Sequence, residues 1–456
     1  MKKIERRTLV CLILAGLLTL GTLLFVVRLL LYGGDWVSFA ANRHLYSSSG
    51  QLSVGRILDR DGDVLSWVDD AGTRHYYENS IVRTATLHAV GDPAGAIGTS
   101  ALVAFADQLS GYNILTGADQ LFGNGNDLYL TLDARLNYIA YQGLNGHNGA
   151  VGVYNYKTGE ILCMVSAPSF DPANPPSDIE ENPAYNGVYL NRFLSSTFPP
   201  GSVMKTITLT AALEQLPDLS ERTFTCTGST QVGEEQITCP YAHGTMDINS
   251  ALVQSCNGVF AQLSTELGSD TLLKYIEKAG LLNSYSVNGI STTKGTFDLS
   301  TATTGQLGWA GVGQYKDLAN PCSLMVWMGA IANGGKAAVP SLILDVQDHN
   351  PLPYIHFSKK TNTLISKTTA QTLSDMMAQA VAENYGAGRF PNMDICAKSG
   401  TAEVGNGKAP TAWFAGFLRN EDAPYAFVVM VEEGGSGAQT AGTVASKVLD
   451  ALVNGY

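Results

Sequence analysis

The sequence predicts an α+β protein, and three observations predict it. A strand hairpin, "GAVGVYNYKTGEILCMVSA", begins at Gly149. A long series of helical patterns follows, including "SALVQSCNGVFAQLSTEL" and "SLMVWMGAIANGG". Then "DICAKSGTAEV", "TAWFAGFLR" and "YAFVVMVEE" read as successive strands before a closing helix, "TVASKVLDALVNG". Apolar alternation marks the strands, and apolar residues three and four apart mark the helices. Strands at both ends of such a segment make one sheet closed by both chain ends. No repeat at a solenoid or propeller period is present.

The amino end reads "MKKIERRTLVCLILAGLLTLGTLLFVVR", with no charge from Thr8 to Val27. About 20 apolar residues suffice for a helix to cross a bilayer. Lys2, Lys3, Arg6 and Arg7 precede the run, which keeps the amino end cytoplasmic. Arg28 can snorkel to the far interface. A cleaved signal peptide has a shorter apolar core and a small-residue cleavage site, and this stretch has neither. The expected organisation is a cytoplasmic tail (1–7), a transmembrane anchor (8–31), a membrane-proximal mixed domain (32–148) and the α+β domain (149–456), outside the cell.

In the membrane-proximal part, "VGRILDRDGDVLSWV" reads as a hairpin around Asp61-Gly62. It is not a calcium loop, because the glycine is misplaced and the terminal glutamate is missing. "SALVAFADQLSGYN" has helical spacing, and "LYLTLDARLNYIAYQGL" reads as a strand running into a helix. "SFDPANPPSDIEENPAYN" is a proline-rich surface loop.

Of 456 residues, 45% are hydrophobic and 15% charged, which allows a large core and disfavours long charged tails. The net charge of -12 and the lack of a basic stripe beyond residue 7 argue against a nucleic-acid partner. Among the seven cysteines, Cys11 falls in the anchor. Cys226 and Cys239 flank a polar hairpin-like stretch, and outside the cell they form a candidate disulfide. Cys163, Cys256, Cys322 and Cys396 read as small buried hydrophobes. No C-x-x-C or H-E-x-x-H spacing exists, and Cys239 with His243 alone is a weak metal pair. No metal or cofactor is expected.

The chemistry-bearing stretch is "TFPPGSVMKTITLTAALEQL", from Thr197 to Leu216. Ser202 and Lys205 stand three apart at the mouth of a helix, so they share a face. An amine beside a hydroxyl can take its proton and make it a nucleophile. Free amide groups at the helix start favour an oxyanion. The spacing alone is weak: "STTK" at Ser291–Lys294 matches it in a polar loop. Ser255-Cys256-Asn257 and Lys398-Ser399-Gly400-Thr401 follow in order, the first at a helical bend and the second on a strand. The decoys "SVN" (286–288) and "KTG" (157–159) lack that order or setting. Ser-x-x-Lys, a serine–asparagine element and Lys-Thr-Gly together are the signature of penicillin-binding proteins and class A β-lactamases.

From about Arg56 onward the chain resembles a class B penicillin-binding protein, a membrane-anchored peptidoglycan D,D-transpeptidase. "GAVGVYNYKTGEILCMVSAPSFDPA", "FPPGSVMK", "SCNGVF", "GVGQYKDLANPCSLMVWMGAIANGG" and "AKSGTAEVGNGKAPTAWFAGF" resemble family segments in family order. The resemblance implies an antiparallel sheet flanked by helices. It implies Ser202 as the nucleophile on the penultimate D-Ala carbonyl and Lys205 as general base. Ser255 would relay a proton to the leaving group, and Asn257 would bond the substrate amide and Lys205. Lys398 would supply charge for the terminal carboxylate, with Ser399 and Thr401 as hydroxyl donors. Gly400 would leave the strand edge open, and the N–H groups of Ser202 and Thr401 would form the oxyanion hole. The implied partners are stem peptides ending in D-Ala-D-Ala, β-lactam antibiotics and, by family analogy, a membrane-embedded glycan polymerase.

Class B members usually carry a longer membrane-proximal domain, so the chain resembles the shorter branch near penicillin-binding protein A. A D,D-carboxypeptidase would use the same residues with water as acceptor. A β-lactamase would need a deacylating glutamate in an E-x-x-L-N run, which is not found after Ser255. A β-lactam sensor would need a larger cytoplasmic or multi-span region, and a structural pseudoenzyme would have lost a motif residue.

Overall fold

The computed structural model describes residues 2–38, 55–69, 71–110, 125–347, 358–405 and 407–455. Lys2–Ser38 forms one helix. Within its exposed stretch Lys3–Leu29 an 18-residue window has a mean hydropathy of 2.7, so the helix is long and apolar enough to cross a membrane. The hydroxyls of Thr8, Thr19 and Thr22 each bond a carbonyl four residues earlier, which hides them from an apolar surrounding.

The main sheet has five antiparallel strands in the order Ile395–Ala402, Thr411–Leu418, Tyr425–Val431, Gly149–Asn155, Ile161–Ala167. The two ends of the domain meet where Tyr425 pairs with Asn155 and Val431 with Gly149. Both faces are covered, so the strands are apolar nearly throughout rather than alternating. On one face Val151, Val153, Phe414 and Phe427 pack against the helices Ala134–Leu144 and Gly442–Asn454 through Leu136, Ala140, Val444 and Val448. On the other, Trp413, Ala415 and Phe417 share a core with Trp327.

Trp327 belongs to the helix Pro321–Ala332, buried at every position from Pro321 to Ile331. A helix apolar all round has no solvent face and serves as a central post. Asn320 caps it, accepting from Ser323 N–H at 3.2 Å. Each large side chain so buried is worth roughly 1.5–3 kcal/mol.

A second five-stranded sheet holds Arg56–Leu58, Val64–Val68, Arg74–Tyr76 and Asp127–Leu130, joined by Ile343–Gln347. The hairpin expected at Asp61-Gly62 is present, with Ile57 opposite Ser66. Asp59 spends its carboxylate on the N–H groups of Asp61, Asp63 and Ala134, so this acidic run is a turn. The strand 343–347 comes from far along the chain, and no local pattern announced its pairing. The helix Ala134–Leu144 precedes residue 149 yet packs on the main sheet. The stretch "SALVAFADQLSGYN" yields two short helices, Ala101–Ala104 and Ala106–Ser110, and its last three residues lie outside the described ones.

Candidate active site

Two prolines, Pro199 and Pro200, lead into a tight turn, Gly201–Met204, that continues as the helix Lys205–Gln215. Gly201 has φ +52°, and a Cβ there would lie 2.9 Å from the carbonyl oxygen of Thr401. The Ser202 turn therefore lies against the edge strand Ile395–Ala402. Gly400 serves the same contact: its Cβ would meet Pro200 O at 3.0 Å and Val203 at 3.1 Å. Trp413 fastens the entry by donating Nε1–H to Pro199 O at 2.9 Å. Ser202 is half-buried, and its hydroxyl has no hydrogen-bond partner among the described residues.

Lys205 points inward and is wholly buried. Its Nζ donates to Ser255 O at 2.6 Å, Ser255 Oγ at 3.0 Å and Asn257 Oδ1 at 2.7 Å. These acceptors meet because the predicted helix "SALVQSCNGVFAQLSTEL" is broken in two. Ile248–Val253 ends, Ser255 turns into the left-handed region at φ +54°, and Asn257–Leu267 begins. A non-glycine residue there is strained, and such strain concentrates where side-chain aim matters. Burial, and next the Lys398 ammonium, push the Lys205 pKa well below its ordinary value.

Lys398 is also wholly buried. Its Nζ donates to Ser255 Oγ at 3.0 Å, Ser399 O at 2.9 Å and the Tyr385 hydroxyl oxygen at 3.3 Å. Burial lowers its pKa to about 7. One hydroxyl, Ser255 Oγ, thus accepts from two amines. The Thr401 hydroxyl accepts from Gly437 N–H at 3.4 Å, and Ser399 and Thr401 lie along the free edge of the sheet.

Tyr385 is the residue that sequence reading missed. It closes a wide helical turn, Val381–Tyr385, after the helix Lys367–Ala380. Its hydroxyl accepts from Ser399 N–H at 3.1 Å and lies 3.1 Å from Ser399 Oγ. Neighbouring Asn384 donates to Val253 O, which ties this turn to the Ser255 bend. Its only sequence signal is an aromatic before Gly386.

The decoys sit elsewhere. Asn288 is a hairpin turn residue at φ +49° whose Oδ1 accepts from Leu342 and Ile343 N–H, at 2.6 and 3.2 Å. Lys157 and Thr158 form a surface turn around Asn155 Oδ1.

The expected Cys226–Cys239 disulfide is corrected: both are free thiols. Each faces a different partner, Cys226 Sγ lying 3.4 Å from His243 Nδ1 and Cys239 Sγ 3.8 Å from Cys256 Sγ. Cys256 is buried in the main core, as its sequence reading has it, with its Sγ turned toward Cys239.

A serine on a helix-opening turn, two buried amines around one hydroxyl and an open sheet edge define the active-site-serine class of acyl-transfer enzymes. The chain belongs to the penicillin-binding protein transpeptidase family, whose domain model matches residues 149–454. It is 29% identical to the peptidoglycan D,D-transpeptidase PbpA of Mycolicibacterium smegmatis over 74% of this chain and 76% of that one. It is 28% identical to the stage V sporulation protein D of Bacillus subtilis, over 72% of this chain and 52% of that protein. Among solved structures, PBPA of Mycobacterium tuberculosis superposes with a TM-score of 0.75 at 23% identity, covering 88% of this chain and 99% of that one. The D,D-transpeptidase domain from Eggerthella lenta gives 0.73 at 26% identity, covering 90% and 99%.

Proposed function

We propose that the chain is a membrane-anchored peptidoglycan D,D-transpeptidase acting through an acyl-enzyme on Ser202. The observation that carries this is the shared hydroxyl, with Ser255 Oγ 3.0 Å from both Lys205 Nζ and Lys398 Nζ beside the Ser202 turn. Lys205, kept neutral by burial and by Lys398, takes the Ser202 proton as Oγ bonds the penultimate D-Ala carbonyl carbon. The N–H groups of Ser202 and Thr401 receive the oxyanion. The C–N bond to the terminal D-Ala breaks, and its nitrogen takes the proton through Ser255. Lys398, Ser399 and Thr401 hold the terminal carboxylate, and Asn257 orients the peptide amide. An acceptor amine then attacks the ester, a peptide bond forms and Ser202 is restored.

Solved complexes of Mycobacterium tuberculosis penicillin-binding protein A are acyl-enzymes with penicillin G and imipenem, which supports the same chemistry with β-lactams here. The amino-terminal helix fits a cytoplasmic tail (1–7) and an anchor (8–31), with the membrane-proximal domain (32–148) and transpeptidase domain (149–456) outside the cell. A membrane-embedded glycan polymerase is the partner that family analogy assigns.

The test is incubation of the full chain in detergent with a D-Ala-D-Ala peptide and an acceptor amine. Transfer product that disappears in Ser202→Ala is expected. Hydrolysed product alone would replace the transpeptidase by a carboxypeptidase.

A further inference from the structure

Beside the Ser255 bend, four metal-ligating side chains converge. Cys226, Cys239, His243 and Cys256 place one donor atom each within 4.8 Å of all the others. Three pieces of chain supply them. Cys226 ends the strand Phe224–Cys226, Cys239 and His243 follow the strand Glu235–Thr238, and Cys256 caps the helix Asn257–Leu267.

The distances discriminate between chemistries. Sulfurs of a disulfide lie about 2.05 Å apart. Tetrahedral zinc, with Zn–S of about 2.3 Å and Zn–N of about 2.0–2.1 Å, sets its ligand atoms about 3.8 Å apart for two sulfurs and about 3.6 Å for sulfur and nitrogen. The two separations here are 3.8 Å (Cys239 Sγ to Cys256 Sγ) and 3.4 Å (Cys226 Sγ to His243 Nδ1). Three thiols and one imidazole form a standard closed donor set for structural zinc.

We propose that Cys226, Cys239, His243 and Cys256 bind one zinc ion, which locks the bend carrying Ser255 and Asn257 to the neighbouring hairpin. Cys256 lies between those two residues, so a fixed sulfur fixes the backbone on both sides. A direct bond already runs along this seam, from Asn257 Nδ2–H to Thr238 O at 2.7 Å, next to Cys239. Metal at this point makes the acceptors of Lys205 rigid without touching substrate. Binding displaces the thiol protons, so the site loads better as pH rises. The proposal departs from the sequence expectation of no metal. That expectation paired Cys239 with His243 and left out Cys226 and Cys256, which only the fold brings to them.

The test is metal analysis of the full chain, purified in detergent with reductant and no chelator, then given zinc ion alone and desalted. About one zinc per chain is expected, and Cys226→Ser and His243→Ala should each lose most of it. Chelation should lower the wild-type Tm and zinc ion alone should restore it. The wild-type result needs no variant to fold. Penicillin labelling of the same sample separates this outcome from any failure of the proposed function. Absence of retained zinc from labelling-competent protein would overturn the inference. So would peptide mapping that finds Cys226 or Cys239 in a disulfide in freshly isolated chain.

Discussion

Lys205 and Lys398 stand 193 residues apart in the sequence and donate to the same oxygen, Ser255 Oγ, each at 3.0 Å. Two ammonium groups cannot share so small a buried space without cost. The cost falls on Lys205, whose pKa is pushed down by burial and next by Lys398. In the proposed mechanism the pair splits into a neutral amine beside the Ser202 helix and a cation on the sheet edge.

That split fixes a pH profile. Lys398 titrates at about 7, and Lys205 lies well below its ordinary value. The second-order rate of penicillin acylation should hold through mildly acidic pH and fall as pH rises through about 7, where Lys398 loses its charge. Lys398→Arg should flatten that alkaline limb, because a guanidinium keeps its proton. Stopped-flow acylation from pH 5 to 9 measures this. A rate that climbs steadily to pH 9 in the wild type would remove Lys398 as the cationic partner.

Burying the amine of Lys398 should lower stability. Replacing a buried charge by a shape-matched apolar side chain is worth roughly 1–4 kcal/mol. Lys398→Met should raise the Tm by a few degrees at pH 6 while cutting acylation by at least about 100-fold. The folded pKa, about 7, is below the unfolded ammonium value. Between these values the unfolded chain holds a proton that the folded chain has released. Wild-type stability therefore rises with pH across that window, and the advantage of Lys398→Met shrinks toward pH 10. Paired thermal melts check the sign.

Tyr385 positions the edge strand. Its hydroxyl accepts from Ser399 N–H at 3.1 Å and Lys398 Nζ at 3.3 Å. Tyr385→Phe leaves the part-buried Ser399 N–H without its acceptor, a loss of up to about 1–3 kcal/mol. Acylation should slow by roughly tenfold, at about 1.4 kcal/mol per factor of ten, and the pH limb of Lys398 should shift. A purely structural role would lower the Tm and leave the pH profile in place.

Lys3–Leu29 has no burial in the fold and is long and apolar enough to cross a membrane, where the proposed function places it. A chain lacking residues 1–31 should leave the membrane fraction on lysis and still bind penicillin. Loss of labelling in that soluble chain would mean that the helix supports the fold as well as the location.

How much of this was legible in the sequence depends on the range of each contact. The hairpin at Gly149 and the closing strands showed as apolar runs, since alternation and turns are local properties. The order of the Ser202, Ser255 and Lys398 segments was legible because their residue types are unusual together. The break at Ser255 was foreseen as a bend, but its left-handed backbone at φ +54° was not. Tyr385 was invisible, since its role exists only through Ser399, which folding brings to it. The strand Ile343–Gln347 was missed for the same reason, its partner Asp127–Leu130 lying far upstream. The cysteines misled because adjacency in sequence suggested a local bond, whereas Cys256 enters from the neighbouring helix.

The most direct measurement is mass mapping of the chain after reaction with penicillin. A single acyl adduct on the peptide carrying Ser202, lost in Ser202→Ala although that variant melts like the wild type, is the predicted result. An adduct on any other serine, or labelling that survives in the folded Ser202→Ala chain, would contradict the account at its centre.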